Sequence, residues 1–159
     1  MNLSIHKRII KEIFNEYSNN QDIVTIFLFG SLAKGTANRK SDVDIEIVYL
    51  GKKYLLKEEK KYGIKVDIEM WPKERLMKKI KYQTYLCYPY LKEKILFDKD
   101  NFGRDLKEKT KKYFKVNKEA RLIWENWEKD YLKSKKNNQK IRDVNIFYKK
   151  LKNKFSKRK

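Results

Sequence analysis

Residues 29–44 read FGSLAKGTANRKSDVD and connect the end of one apolar run to the start of the next. The stretch begins at the end of an apolar, β-branched run, residues 23–29, which is typical of a buried central strand. Gly30 and Ser31 follow at once, and the residues after them can begin a short helix. A strand that passes directly into a helix leaves free backbone N–H groups and a hydroxyl at the turn. The first half of the stretch therefore predicts an anion site.

The second half of the stretch places Asp42 and Asp44 at the start of a second predicted strand, residues 43–50. Side chains two residues apart on a strand share a face, so we expect the two carboxylates to lie close together. Asp67 lies in a third predicted strand, residues 64–71, and converges with them if the two strands are neighbours. Carboxylates held together repel unless a cation lies between them, and Mg²⁺ binds one or two carboxylates plus substrate phosphates. The pattern predicts phosphoryl or nucleotidyl transfer, which depends mostly on positioning and charge neutralisation.

The spacing Gly30-Ser31, ten residues, Asp42-Val43-Asp44 resembles the signature of the DNA polymerase β-like nucleotidyltransferase superfamily. The short chain resembles the minimal nucleotidyltransferases of that superfamily. The resemblance covers about residues 3–100. It implies an α/β (α+β) nucleotidyltransferase fold, in which helices pack on a mixed β-sheet, followed here by a C-terminal helical extension.

The resemblance implies how a nucleoside triphosphate, ATP or another, would be held. Gly30 and Ser31 would bind its phosphates. Relatives often carry arginine soon after the serine, whereas this chain has Leu32 and Lys34 there. Lys34 is a candidate contact for the β- or γ-phosphate, and it is equally well explained as a surface lysine.

The resemblance also implies two Mg²⁺ ions, bound by Asp42, Asp44 and Asp67, which are the predicted catalytic residues. Asp67, the third acid, would help to activate the attacking hydroxyl. Glu69 is the alternative third acid, and the KVDIE context favours Asp67 because the third acid of the family follows an apolar residue there. Glu46 continues the face of the aspartate pair, either as a supporting acid or as a solvated edge residue.

Patterns elsewhere predict the elements around this site. Apolar residues at helical spacing predict a helix over residues 3–19. Residues 54–61 are charged and of uncertain form, residues 85–94 favour a helix broken near Pro89, and residues 95–97 favour a last short strand. We expect the helices to pack on one face of the sheet.

Charge divides the chain into a predicted catalytic domain, residues 1–100, and a basic helical region, residues 104–159. The net charge is +20; residues 1–50 carry six Lys or Arg and six Asp or Glu, whereas residues 101–159 carry 21 and seven. Such an excess either attracts a polyanion such as RNA or decorates solvated helix faces. Aromatic residues recur at helical spacing in the basic region, which favours core packing over nucleic-acid stacking.

Bulk features restrict the location of the protein. No apolar run approaches 18 residues, so no membrane span is expected. The start MNLSIHKRII lacks an uninterrupted apolar core, so we expect no signal peptide. Cys87 is the only cysteine, which fits a reducing, cytoplasmic compartment.

Three functions are consistent with the sequence. The first is Mg²⁺-dependent transfer of NMP, with AMP from ATP favoured, to a hydroxyl of a protein, an RNA end or a small molecule. The second, implied by the resemblance, is an antitoxin of a two-gene module that binds and adenylylates a partner ribonuclease. The third is a non-catalytic RNA-binding module that kept the fold. The sequence leaves the acceptor, the nucleotide and the oligomeric state open.

Overall fold

The computed structural model describes residues 3–136 and 144–156. The described residues form five strands: β1 (Ile23–Phe29), β2 (Val43–Tyr49), β3 (Leu55–Lys61), β4 (Ile64–Pro72) and β5 (Lys94–Asp98). They also form six α-helices: α1 (Ser4–Ser18), α2 (Gly30–Lys34), α3 (Lys73–Tyr82), α4 (Phe102–Val116), α5 (Lys118–Lys136) and α6 (Val144–Phe155). The helix predicted over residues 3–19 and the four predicted strands therefore exist, with ends displaced by at most one residue.

The five strands make one mixed sheet in the order β3-β4-β2-β1-β5. β2 and β4 are parallel, and each other neighbouring pair is antiparallel. This arrangement confirms the predicted fold class. It also makes β2 and β4 neighbours, which is the condition for bringing their acids together.

Helices cover both faces of the sheet, so the expectation that they pack on one face is wrong. Ile26 and Leu28 of β1 pack in one core together with Ile9 of α1. Phe27, between them, packs on the opposite face with residues of α3 and α4 such as Leu106. β1 is apolar at almost every position, and a strand of that kind needs cover on both sides.

The sequence left the form of one segment open and predicted the form of another wrongly. The charged residues 54–61 largely form β3, an edge strand, where charged side chains discourage pairing with other chains. Residues 85–94 form no α-helix, because the chain makes two short 3₁₀ turns, Thr84–Leu86 and Tyr88–Leu91. Pro89 explains this: it lacks an N–H donor and disfavours helical geometry in the residue before it.

The aromatic residues of the C-terminal helices form a second core, as their spacing predicted. Trp124 stacks on Tyr88 at a centroid distance of 5.4 Å, and Phe147 meets Trp124 edge-on at 4.8 Å. Trp124 is buried and donates from Nε1 to the carbonyl of Tyr85 at 2.7 Å. The boundary between residues 100 and 104 stays a prediction, and residues 137–143 and 157–159 of the basic region lie outside the described residues.

None of the described helices is both long and apolar enough to cross a membrane. Cys87 is buried beneath the sheet, and burial raises the pKa of its thiol to about 11. It therefore behaves as a small core residue.

Candidate active site

Two of the predicted acids meet at the centre of the sheet. Asp44 of β2 lies directly opposite Asp67 of β4 in the parallel register. Both line a cleft of about 980 Å³, together with Gly30 from the turn after β1. A Cβ atom added at Gly30 would overlap Oδ2 of Asp44, so there is no space for a side chain. Gly30 also has a φ of +70°, a backbone conformation that favours glycine.

Two further acids lie one step along the same face of these strands. Glu46 is opposite Glu69 in the register, two residues beyond the Asp44–Asp67 pair. Glu46 is buried and accepts a hydrogen bond from the hydroxyl of Tyr90 at 2.5 Å. Burial raises the pKa of Glu46 to about 7, although this hydrogen bond opposes the shift. Glu46 is thus held in the protein interior, which differs from the solvated-edge alternative.

Only one of the two oxygens of the Asp67 carboxylate has a hydrogen-bond partner within the described part of the chain. Its Oδ2 accepts from Nζ of Lys65 at 2.8 Å, whereas its Oδ1 is buried and has no hydrogen-bond partner among the described residues. The hydrogen bonds that Lys65 makes to Asp67 and Glu58 raise the pKa of Lys65. A buried acceptor without a donor is costly. With Asp44 beside it, this oxygen fits a divalent cation, which takes oxygen ligands.

Asp42 does not join the pair. It lies just before β2, is exposed, and lines a separate cleft of about 420 Å³ together with Lys40 and Lys65. Across residues 3–136 and 144–156, no three His, Cys, Asp or Glu side chains are placed to share one metal ion. Because Asp42 precedes the strand, sheet pairing does not fix the direction of its side chain. Its role as a ligand stays a prediction.

The predicted phosphate contacts surround the same turn. Ser31 follows Gly30 in α2 and is half-buried, and its carbonyl accepts from the backbone N–H of Thr36 at 3.0 Å. Lys34 ends α2 and makes an ion pair with Glu128 of α5, Nζ to Oε1 3.3 Å. The structure therefore places Lys34 in a contact with the C-terminal region that the sequence did not predict.

A buried glutamate behind this turn had no sequence signal. Glu93 is 4% exposed, and its Oε2 has no hydrogen-bond partner among the described residues. Burial raises the pKa of Glu93 to about 8; the positive charge of Lys34 opposes this shift, whereas the charges of Glu46 and Asp44 add to it. Glu93 is therefore largely protonated near neutral pH.

Glu93→Gln is expected to gain stability relative to wild type as the pH rises. The folded state favours the protonated carboxyl, so wild type loses stability between about pH 4.5 and pH 8, whereas the amide does not titrate. The difference in unfolding free energy should shift by roughly 2–4 kcal/mol across that window. Thermal melts at several pH values measure it, with the exposed Glu108→Gln as control. A difference that stays constant with pH would show that Glu93 is not held neutral.

Comparisons with known proteins give the family of the chain. The sequence model of the family described as "Polymerase beta, Nucleotidyltransferase" matches residues 9–102. A putative protein adenylyltransferase of Methanocaldococcus jannaschii is 30% identical over 107 residues, covering 59% of this chain and 71% of that protein. A nucleotidyltransferase-like protein of Exiguobacterium sibiricum shares the fold, with a TM-score of 0.55 and 12% identity.

The structural likenesses are limited in coverage or in TM-score. The match to the Exiguobacterium protein covers 67% of this chain but 38% of that one. A chain from a crystal structure of a toxin–antitoxin with AMP-PNP matches with a TM-score of 0.42 and 20% identity, and the match covers 78% of this chain and 98% of that one. The family model, by contrast, spans more than half of the sequence and includes Gly30, Asp44 and Asp67. The chain therefore belongs to the polymerase β nucleotidyltransferase family and is a nucleotidyltransferase.

Proposed function

We propose that this protein transfers AMP from ATP to a hydroxyl acceptor in a Mg²⁺-dependent reaction. One observation carries the proposal: Asp44 and Asp67 lie opposite each other on parallel strands, with Gly30 against Asp44 and a buried, unpartnered oxygen on Asp67 within the described structure. A divalent cation held by two carboxylates can also bind the phosphates of a nucleotide. The glycine at the adjacent turn leaves space for those phosphates.

The residues of the chain would divide the chemistry as follows. Gly30 and Ser31 would bind the phosphates, Asp44 and Asp67 would hold Mg²⁺, and Asp42 is the proposed third ligand. When bound, Mg²⁺ neutralises the phosphate charge and polarises the α-phosphorus. Asp67 accepts the proton of the acceptor hydroxyl. The hydroxyl oxygen forms a bond to the α-phosphorus, the bond from that phosphorus to the α,β-bridging oxygen breaks, and pyrophosphate leaves.

Incubation with ATP labelled at the α-phosphate tests this function directly. We expect label on an acceptor in the presence of Mg²⁺ and none with a chelator. ATP labelled at the γ-phosphate should leave the acceptor unlabelled, because that label departs with pyrophosphate. Label from the γ position on the acceptor would indicate a kinase reaction and refute AMP transfer.

Ser31→Ala is expected to weaken ATP binding without abolishing it. The change removes one hydroxyl but leaves the backbone N–H groups, so the loss should be about 1–2 kcal/mol, the scale of a hydrogen bond to a charged group. Titration calorimetry with and without Mg²⁺ measures it, and the loss should appear only with Mg²⁺. If Ser31→Ala bound ATP as tightly as wild type in Mg²⁺, the Ser31 hydroxyl would not contact the nucleotide.

A protein hydroxyl is the acceptor that the similarity to a putative protein adenylyltransferase favours. The antitoxin function, with adenylylation of a partner ribonuclease, is a special case of this reaction and stays a prediction. The non-catalytic RNA-binding alternative predicts instead that RNA affinity falls steeply with salt while no label is transferred. A cytoplasmic location likewise stays a prediction from the single cysteine.

A further inference from the structure

A tyrosine of the C-terminal helix α6 lines the same cleft as the acid pair. Tyr148 is half-buried, and the wall to which it contributes also includes Asp44 and Asp67. Its ring packs against Trp124 of the second core, with the ring centroids 5.8 Å apart. One turn further along α6, Leu151 is buried in the same core. Packing therefore holds the Tyr148 side chain at the wall of the candidate active site.

The hydroxyl of Tyr148 lies within electrostatic reach of the acids on β2 and β4. Burial raises the pKa of Tyr148 to about 12, and the negative charges of Glu69 and Glu46 add to this shift. These two glutamates are opposite each other, two residues beyond the acid pair on the same strands. The Tyr148 hydroxyl makes no hydrogen bond to any residue of the described chain. Its oxygen is therefore available to a ligand in the cleft.

Tyr148 is better placed than the other tyrosines of the cleft to act as an acceptor. Tyr82 is 67% exposed, and the hydroxyl of Tyr90 already donates to a buried carboxylate. Tyr131 of α5 stacks on Trp127, with the ring centroids 5.2 Å apart. A hydroxyl that is already held in the cleft has lost the translational freedom that a separate acceptor must give up. It therefore reacts at a high effective concentration.

We propose that the protein adenylylates its own Tyr148, within one chain; the reaction itself rests on the proposed function. Oη of Tyr148 forms a bond to the α-phosphorus of ATP, the bond from that phosphorus to the α,β-bridging oxygen breaks, and pyrophosphate leaves. The phenol is protonated at neutral pH, so a base must accept its proton, and Asp67 has that role for any acceptor hydroxyl. The attached AMP stays in the cleft and occupies the nucleotide site. The modification is therefore self-limiting.

Mass spectrometry of the purified protein after incubation with ATP and Mg²⁺ tests the modification. We expect the intact mass to rise by one AMP group per chain, and peptide mapping to place that group on Tyr148. Tyr148→Phe should lose the modification but keep the melting temperature and ATP affinity of wild type, because it removes only a hydroxyl without a described hydrogen bond. Tyr131→Phe makes the same change at another cleft tyrosine and should be modified like wild type. AMP on any residue other than Tyr148, or full modification of Tyr148→Phe, would overturn the proposal.

A mixture of two variants tests whether the transfer occurs within one chain. Asp44→Asn keeps Tyr148 but lacks the acid pair, whereas Tyr148→Phe keeps the acid pair but lacks the acceptor. Neither chain should gain AMP in the mixture, and AMP on the Asp44→Asn chain would overturn transfer within one chain. If wild type labels an added glutamate–tyrosine copolymer but not itself, this proposal fails and the proposed function stands. If wild type binds ATP but labels neither itself nor any acceptor, the proposed function fails as well.

Discussion

Asp44→Asn is expected to abolish AMP transfer and leave the fold intact. Asp44 is flanked in the sheet by Phe29 on one side and Asp67 on the other, and its carboxylate lies against Gly30. The amide has nearly the same shape but loses the charge that Mg²⁺ needs. Transfer should fall by about a thousandfold or more, which corresponds to several kcal/mol of transition-state stabilisation.

The stability of the variant separates this prediction from simple unfolding. Because the carboxylates of Asp44 and Asp67 repel each other without a cation, neutralising one should leave the melting temperature unchanged or raise it. Asp22→Asn, an exposed aspartate outside the cleft, makes the same chemical change and should keep full transfer. Transfer assays and thermal melts without metal measure both effects. If Asp44→Asn kept full transfer activity, the Asp44–Asp67 pair would have no part in the reaction.

The centre of the site could be predicted because it depends on local patterns and on one pairing of strands. Alternation places Asp44 and Asp67 on defined faces, and the parallel pairing of β2 and β4 sets them opposite each other. Gly30 could be predicted as a glycine-dependent turn for the same reason, since it follows β1 directly. The structure adds a second reason for that glycine, because Asp44 lies where a side chain would be.

The periphery of the site could not be predicted, because it depends on contacts between distant segments. Lys34 and Glu128 are 94 residues apart, and no local pattern marks them as partners. Glu93 lies in a charged KEK triplet that suggests solvent, yet it is 4% exposed in the folded chain. Asp42 could not be placed for a different reason. The spacing predicts that it shares a face with Asp44, but that rule holds only inside a strand, and β2 begins one residue after Asp42.

Gly30→Val is expected to abolish ATP binding and transfer, even at high ATP concentration. Its Cβ would overlap Oδ2 of Asp44, and the φ of +70° is strained for any branched residue. The side chain therefore displaces the acid pair and fills the space through which phosphates approach. In titration calorimetry with Mg²⁺, wild type should bind ATP most tightly, Ser31→Ala less tightly and Gly30→Val not measurably.

A matched pair of alanine substitutions separates this steric effect from backbone strain. Gly30 and Gly35 have nearly the same φ, +70° and +72°, but a Cβ at Gly35 has no described atom within 4 Å. Both variants should lose about 1–2 kcal/mol of stability through the left-handed backbone. Only Gly30→Ala should also lose transfer, because only its methyl group meets Asp44. If Gly35→Ala lost transfer equally, strain in the turn would explain both results. If Gly30→Ala kept full transfer, Gly30 would be an ordinary turn residue and the proposed phosphate site would lose its main support.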